Sequence, residues 1–247
     1  MGSQCVILAG GLGTRMRPAT DAIPKALIPV AGVPFVDHQL RWLASHGVGE
    51  AVMSIGHLGN LLRDHVGDGT RFGIPVRWVD EGPDLRGTAG ALRLALDEGV
   101  LAERFLVTYG DSYLPVDFGA VARAFEASGA PAMMTVFRNE GRWDRSNCVV
   151  EGGKVHYDKR KRDPALAARM DHIDYGLSAM RRDVIAARVA AGARADLADL
   201  FHELSVEGAL AAYEVHERFY EIGSPAGLAD LERRLAEAGG SDGGGSV

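Results

Sequence analysis

Short apolar runs at Cys5–Leu8, Ala51–Ile55, Pro75–Val79 and Phe105–Thr108 alternate with helix-period stretches near Pro34–His46, Leu58–Val66 and Thr88–Glu98. This alternation restricts the fold more than any other feature of the chain. Strands that run the same way need a long crossover between them, and a helix lying on a sheet face supplies it. Strands covered on both faces have no polar side, and Cys5-Val6-Ile7-Leu8 shows none. The pattern predicts an α/β fold of three layers, α/β/α, around a mostly parallel, Rossmann-like sheet. Such sheets bind ligands beyond the carboxyl ends of their strands, at a topological switch point. The turn after Leu8 and the residues after Thr108 fall at such ends.

Beyond Pro115 the pattern changes. Ala132–Phe137, Cys148–Val150 and Lys154–Tyr157 read as shorter strands, with Glu151-Gly152-Gly153 as a hairpin turn. Helical stretches near Asp183–Ala190 and Leu197–Glu207, a strand at Ala211–Val215 and a last helix near Ala226–Ala238 follow. With 247 residues and 47% hydrophobic content, the chain fits one core. The expectation is a single domain over 1–238, made of one half over about 1–115 and a second, partly antiparallel half over about 116–238. Gly239 to Val247, GGSDGGGSV, has the composition of a flexible polar tail.

The first strand opens into Leu8 to Val30, LAGGLGTRMRPATDAIPKALIPV. Gly10, Gly11 and Gly13 permit backbone conformations that side chains forbid, and consecutive N–H groups in such a turn can hold anionic oxygens. Arg15 adds a planar fork of positive charge and Lys25 a mobile point charge. Together these residues read as a site for a polyphosphate. They do not form a P-loop, because no lysine followed by Ser or Thr closes the turn. Nor do they form the dinucleotide fingerprint: Met16 stands where its third glycine belongs, and the acidic ribose anchor about 20 residues on is missing. An NAD-dependent oxidoreductase is therefore disfavoured.

The segment resembles the signature of the nucleotidyltransferases that make sugar nucleotides from a sugar 1-phosphate and a nucleoside triphosphate. Leu8, Gly10, Gly11, Gly13, Thr14, Arg15, Arg17, Pro18, Thr20, Pro24, Lys25, Pro29 and Val30 fill every fixed position of that signature. The likeness covers about residues 4–238, in the compact form of the family, whose fold is GT-A-like. It implies a Mg²⁺-dependent cytoplasmic transferase that yields an NDP-sugar and pyrophosphate for bacterial surface glycan or cell-wall precursor synthesis. His57 to Gly82 is similar to uridylyltransferases acting on cell-wall amino sugars such as N-acetylmuramate 1-phosphate. Leu8 to Arg15 is equally like guanylyltransferases acting on heptose or mannose 1-phosphates. Base and sugar stay open, with a lean toward a heptose or related bacterial-glycan sugar.

Tyr109-Gly110-Asp111-Ser112 follows a strand, and the glycine lets the next carboxylate project into the crevice. An Asp there either binds Mg²⁺, which takes one or two carboxylates plus substrate phosphates, or caps the next turn. The resemblance favours the metal and makes Arg15, Lys25 and Asp111 the catalytic residues. Glu221, in Phe219-Tyr220-Glu221-Ile222-Gly223-Ser224-Pro225, stands where the family has Asp and is the second candidate metal ligand. The same run also reads as a helix start, with Ser224 as N-cap and Pro225 behind it.

The resemblance gives the nucleotide to Leu8, Ala9, Gly10, Gly11, Gly13, Thr14, Arg15, Glu81, Gly87 and Thr88. Gly87-Thr88-Ala89-Gly90 would meet the base, although Thr88 also reads as the cap of its own helix. Lys159, Asp174 and Gly176 fall to the sugar phosphate, and Asp174 replaces the family's Asn with an acceptor-only group when ionised. An alternative of another class is a nucleotide- or sugar-nucleotide-sensing protein with a weakened metal site, which Glu221 alone favours.

A formal net charge of −6 argues against a nucleic-acid partner, and Lys159-Arg160-Lys161-Arg162 reads as a solvated loop. Two cysteines, Cys5 and Cys148, fit a reduced compartment, and no zinc-ligand spacing occurs among the eight histidines. No leader or membrane-spanning run is present, so no membrane partner is expected. Monomer and homodimer both remain open.

Overall fold

The computed structural model describes residues 2–241. Its first half follows the predicted alternation. β1 (Ser3–Leu8) leads through a loop and the two-stranded hairpin of β2 (Pro29–Val30) and β3 (Val33–Pro34) to α1 (Phe35–Ser45). Next come β4 (Val48–Ile55), α2 (Gly59–Val66), β5 (Val76–Asp80), α3 (Gly87–Asp97) and β6 (Arg104–Tyr109). β5, β4, β1 and β6 lie side by side, all parallel. Leu8 is level with Ser54 on one side and Tyr109 on the other, so the carboxyl ends of these strands form one rim.

The second half holds β7 (Ser112–Tyr113), α4 (Phe118–Ser128), β8 (Ala132–Arg138), β9 (Cys148–Glu151), β10 (Lys154–Tyr157) and α5 (Pro164–Ala167). β11 (His172–Arg181), α6 (Arg182–Arg188), α7 (Leu197–Val206), β12 (Leu210–Val215), β13 (Tyr220–Glu221) and α8 (Pro225–Ser241) complete it. The nine-stranded sheet has the order β5-β4-β1-β6-β11-β8-β12-β10-β9. It is mixed as a whole: parallel at the β5–β6 side and across β8 and β12, antiparallel elsewhere.

The predicted hairpin between β9 and β10 is present, with Gly152 at φ +57° and Gly153 at φ +75°, as a two-residue type I′ turn demands. The sequence pattern does not anticipate the short elements β2, β3, β7, α5 and β13, nor two long ones, α4 and the ten-residue β11. β11 is hidden because Gly176, at φ +96°, interrupts it and its register on β8 shifts between Asp174 and Ser178. α8 runs on to Ser241, past the expected end at Ala238, so the first residues of the expected tail are helical. The remainder of that tail, 242–247, lies outside the described residues.

Side chains of β1 alternate between two cores. Cys5 and Ile7 pack with apolar residues of α1, α2 and α4, and Val6 packs with those of α3, α6 and α7. A third cluster joins Met16, Ile28, Val30, Phe35 and Tyr113 to Ile222 and Leu231. Burying each such large apolar side chain contributes about 1.5–3 kcal/mol, so this cluster fixes β13 and α8 firmly against the loop that follows β1. Cys5 and Cys148 are both buried free thiols, and burial pushes their pKa values up. Among the described residues no helix is long and apolar enough to cross a membrane.

Candidate active site

The ends of β1 and β6, Glu81 just past β5, and the start of α3 enclose a cleft of about 260 Å³. Leu8, Ala9, Gly10, Gly11, Gly13, Lys25, Glu81, Gly87, Thr88 and Asp111 line it, joined by Ala26, Leu85, Ala91, Tyr109 and Gly110. Thr14 and Arg15 are not among its walls. Gly13 sits at φ +60°, and Thr20 braces it, donating its hydroxyl to the Gly13 carbonyl at 2.9 Å. Among the described residues, the N–H groups of Gly10 through Thr14 find no protein acceptor. Five consecutive donors are thus left for an anion.

The glycines and polar groups along the cleft wall have jobs within the protein. A Cβ on Gly10 would lie 2.6 Å from Glu81 Oε1. That carboxylate accepts the Arg86 N–H at 2.8 Å and the Ser54 hydroxyl at 3.3 Å, so Glu81 organises the loop before α3. A Cβ on Gly87, at φ +74°, would lie 2.5 Å from the Ala195 carbonyl oxygen, which accepts the N–H groups of Ala89 and Gly90. Thr88 does not cap its own helix, whose N-cap is Arg86. Its hydroxyl instead donates to Asp196 Oδ1 at 2.9 Å and accepts the Leu197 N–H at 2.7 Å, bracing the start of α7.

Lys25 and Asp111 stand in the cleft wall, and Arg15 and Glu221 lie close beside them outside that lining. Lys25 Nζ stands 2.5 Å from Asp111 Oδ2. β13 pairs with β7, placing Glu221 opposite Ser112, and the Ile222 N–H donates to the Asp111 carbonyl at 3.0 Å. Gly223 lies against both cations: a Cβ there would approach Arg15 Nη2 at 3.2 Å and Lys25 Nζ at 3.5 Å. Glu221 is exposed overall, yet the protein packed around its carboxyl group, and then the Asp111 charge, push its pKa up against the opposing pull of Arg15 and Lys25. The helix reading of this run also holds, since Ser224 Oγ accepts the Gly227 N–H at 3.1 Å.

No group of three or more His, Cys, Asp or Glu side chains gathers for a metal among the described residues. Two neighbouring carboxylates, Asp111 and Glu221, are the donor type of a hard divalent cation that takes its other ligands from phosphate and water.

On the other side of Tyr109 lie the expected sugar-phosphate residues. Asp174 Oδ1 accepts the Gly176 N–H at 3.0 Å, and Asn147 Oδ1 accepts the Asp174 N–H at 2.9 Å. Burial raises the Asp174 pKa, against the pull of that hydrogen bond and of Lys159. Gly176 abuts the Tyr109 ring and accepts the Thr108 hydroxyl at 3.0 Å. Burial, followed by the charges of Asp174, Asp196, Asp111 and Glu221, lifts the Tyr109 pKa well above its usual value. Tyr109 is therefore the floor between the two groups of residues. Lys159 is exposed; of its basic neighbours, Arg160 and Arg162 both pair with Asp199.

Sequence reasoning missed the loop 139–146. Asn139, fully buried, donates to the Asp144 carbonyl at 2.5 Å and accepts the Trp143 N–H at 3.1 Å. Arg218 stacks on the Trp143 ring at 3.7 Å and on the Tyr220 ring at 4.5 Å, pinning this loop beside the strand that carries Glu221. Nothing in the residue pattern marks that stack, which joins positions far apart in the chain.

The nucleotidyl transferase family model matches residues 4–159. A UTP–glucose-1-phosphate uridylyltransferase of Synechocystis sp. is 29% identical over 87% of this chain and 58% of its own length. An N-acetylmuramate alpha-1-phosphate uridylyltransferase of Neisseria meningitidis serogroup B is 38% identical over 47% of this chain and 50% of its own. The chain thus spans between half and two thirds of these curated relatives. Among solved structures, HddC from Yersinia pseudotuberculosis complexed with GMP-PN shares the fold at a TM-score of 0.72 and 20% identity, with 94% of this chain and 99% of that one covered. The inositol-1-phosphate CTP transferase from T. maritima does so at 0.73 and 19%, with 95% of each covered. A chain that matches this model from its first strand through Lys159 belongs to the nucleotidyl transferase family.

Proposed function

We propose that this protein transfers a nucleotidyl group from a nucleoside triphosphate to a sugar 1-phosphate, giving an NDP-sugar and pyrophosphate. The observation that carries this reading is the meeting of the glycine turn, Lys25 and Asp111 in one cleft, with Arg15 and Glu221 close beside it. A phosphate oxygen of the sugar 1-phosphate attacks the α-phosphorus, and a new P–O bond forms there. The bond to the bridging oxygen breaks, and pyrophosphate leaves with that electron pair. The nucleophile is already an anion, so no general base is needed; the barrier lies in bringing anions together.

In this reading the segment over about 1–115 holds the nucleotide, with Leu8, Ala9, Gly87 and the Glu81-braced loop around the base. Gly10, Gly11, Gly13, Thr14, Arg15 and Lys25 hold the β- and γ-phosphates. Asp111 and Glu221 would hold Mg²⁺, whose chemistry is to neutralise charge on the phosphates it joins. Lys159, Asp174 and Gly176, in the part over about 116–238, would take the sugar phosphate. Nucleoside triphosphates are abundant in the cytoplasm, where the reading places the enzyme, with a heptose or related bacterial-glycan sugar as the favoured acceptor. The place of Glu221 beside Asp111 speaks against the sensing alternative.

The test is pyrophosphate release with Mg²⁺, across four nucleoside triphosphates crossed with hexose, amino-sugar and heptose 1-phosphates. Release with one pair establishes the reaction and names both substrates. Nucleotide binding with no release from any pair would return the sensing reading.

A further inference from the structure

Asp111 sits in a tight turn that three neighbours hold. Gly110 donates its N–H to the Leu8 carbonyl at 2.9 Å, and a Cβ there would lie 2.8 Å from that of Ala9. The Ile222 N–H holds the Asp111 carbonyl from the β13 side. The third neighbour is the side chain of Gln39, which rises from α1 and is 2% exposed. Its Nε2 donates to the Tyr109 carbonyl at 2.8 Å and to the Ser112 carbonyl at 3.0 Å. Those two carbonyls bracket Gly110-Asp111, so one amide group closes the turn from beneath. Both partners being acceptors fixes which end of the amide faces them.

The other end of that amide has no partner. Gln39 Oε1 is buried and accepts no hydrogen bond from the described residues. A buried acceptor left unmade is destabilising, and an apolar residue of the same size would remove that penalty. Gln39 therefore fills this place for its two donors and not as packing. We infer that Gln39 is a positioning residue, which fixes the turn that carries Asp111 so that its carboxylate stays beside Glu221, where a divalent cation would be held. This rests on the metal-dependent reading above. Groups that orient a metal ligand typically change metal affinity about 10–100-fold when removed.

The test titrates Mn²⁺, visible by electron paramagnetic resonance, into nucleotide-free wild type, Gln39→Met and Gln39→His. Pyrophosphate release is followed in parallel against Mg²⁺ concentration at saturating substrates. Gln39→Met keeps the volume and drops both donors; it is expected to weaken Mn²⁺ binding and raise the half-saturating Mg²⁺ concentration by about tenfold or more. Gln39→His keeps one ring N–H to donate and should fall between, which also serves if the methionine variant does not fold. The KM for the sugar phosphate should stay unchanged. A purely structural role would lower the melting temperature and the active fraction while leaving both metal curves in place, and that result overturns the inference. Wild type that binds Mn²⁺ more tightly than the variants yet releases no pyrophosphate from any pair sinks the transferase reading and keeps Gln39 in its role. Wild type that binds no Mn²⁺, with or without a nucleoside triphosphate present, overturns both.

Discussion

Lys25 Nζ and Asp111 Oδ2 stand 2.5 Å apart, which sets an ammonium against the carboxylate proposed to hold the metal. Both side chains are largely shielded from water, at 15% and 23% exposure, which strengthens the attraction. The lysine holds the carboxylate in place, and a bound polyphosphate would offer Lys25 a second anionic partner.

Replacing Lys25 should therefore separate metal binding from turnover. A charge-assisted hydrogen bond is worth about 1.5–3 kcal/mol, and Lys25→Met removes it as a competitor of the metal. The variant is expected to bind Mn²⁺ in the absence of nucleotide roughly tenfold more tightly or better, while pyrophosphate release falls by roughly 10²–10³. Titration of both proteins by paramagnetic resonance checks the first part; weaker binding in the variant contradicts the competition.

Glu221 carries a pKa above its usual 4.5. The folded protein then holds a proton that the unfolded chain has released, so metal-free stability declines as pH rises from 4.5 through the raised value. Glu221→Gln removes that decline. In the presence of a chelator the variant should melt higher than wild type at neutral pH, and the difference should vanish below 4.5, where both forms are uncharged. Melting curves across that range decide it, and equal curves at neutral pH would refute the assignment.

The Thr88 hydroxyl gives its proton to Asp196 and one lone pair to the Leu197 N–H, so its prior engagement is with the start of α7. Thr88→Val is expected to lose about 1–2 kcal/mol of stability through the α7 start, while the KM for nucleotide stays at its wild-type value. A raised KM with an unchanged melting point would place the hydroxyl on the ligand instead.

Arg218→Ala removes the guanidinium held between Trp143 and Tyr220. Stability should fall by about 1–2 kcal/mol, since Arg218 also pairs with Asp230 at 3.0 Å. The emission of Trp143, already half-exposed, should shift to the red as the ring loses its cover. Unchanged emission would show that the loop 139–146 is held by Asn139 alone.

The parallel half of the sheet was legible because its strands are uninterrupted apolar runs: Cys5–Leu8 and Phe105–Thr108 lie within one residue or so of β1 and β6. The cleft beyond them was legible for the same reason, with the glycines and Lys25 carrying the signal locally. β11 escaped notice because Asp174 and Gly176 break its apolar pattern, and those are the residues that shape the sheet beside Tyr109. Gln39 and Arg218 were invisible for a different reason. The Gln39 amide closes a turn 70 or more positions away, and the Arg218 stack reaches Trp143, 75 positions back in the chain.

β11 runs between β6 and β8 and is hydrogen-bonded to both, with Leu177 paired to Thr108 and Ser178 to Met134. One ladder therefore crosses from the strands of the phosphate cleft to those behind Asp174. Anyone recombining such enzymes to change the sugar they accept would find no seam there. A chimera joined after Pro115 would ask a foreign β11 to match the register of β6 at every rung, or leave β6 as a bare edge open to pairing with another chain. The exchangeable parts are the loops above the sheet, such as 139–146, where a graft disturbs a stacked arginine and leaves the ladder untouched.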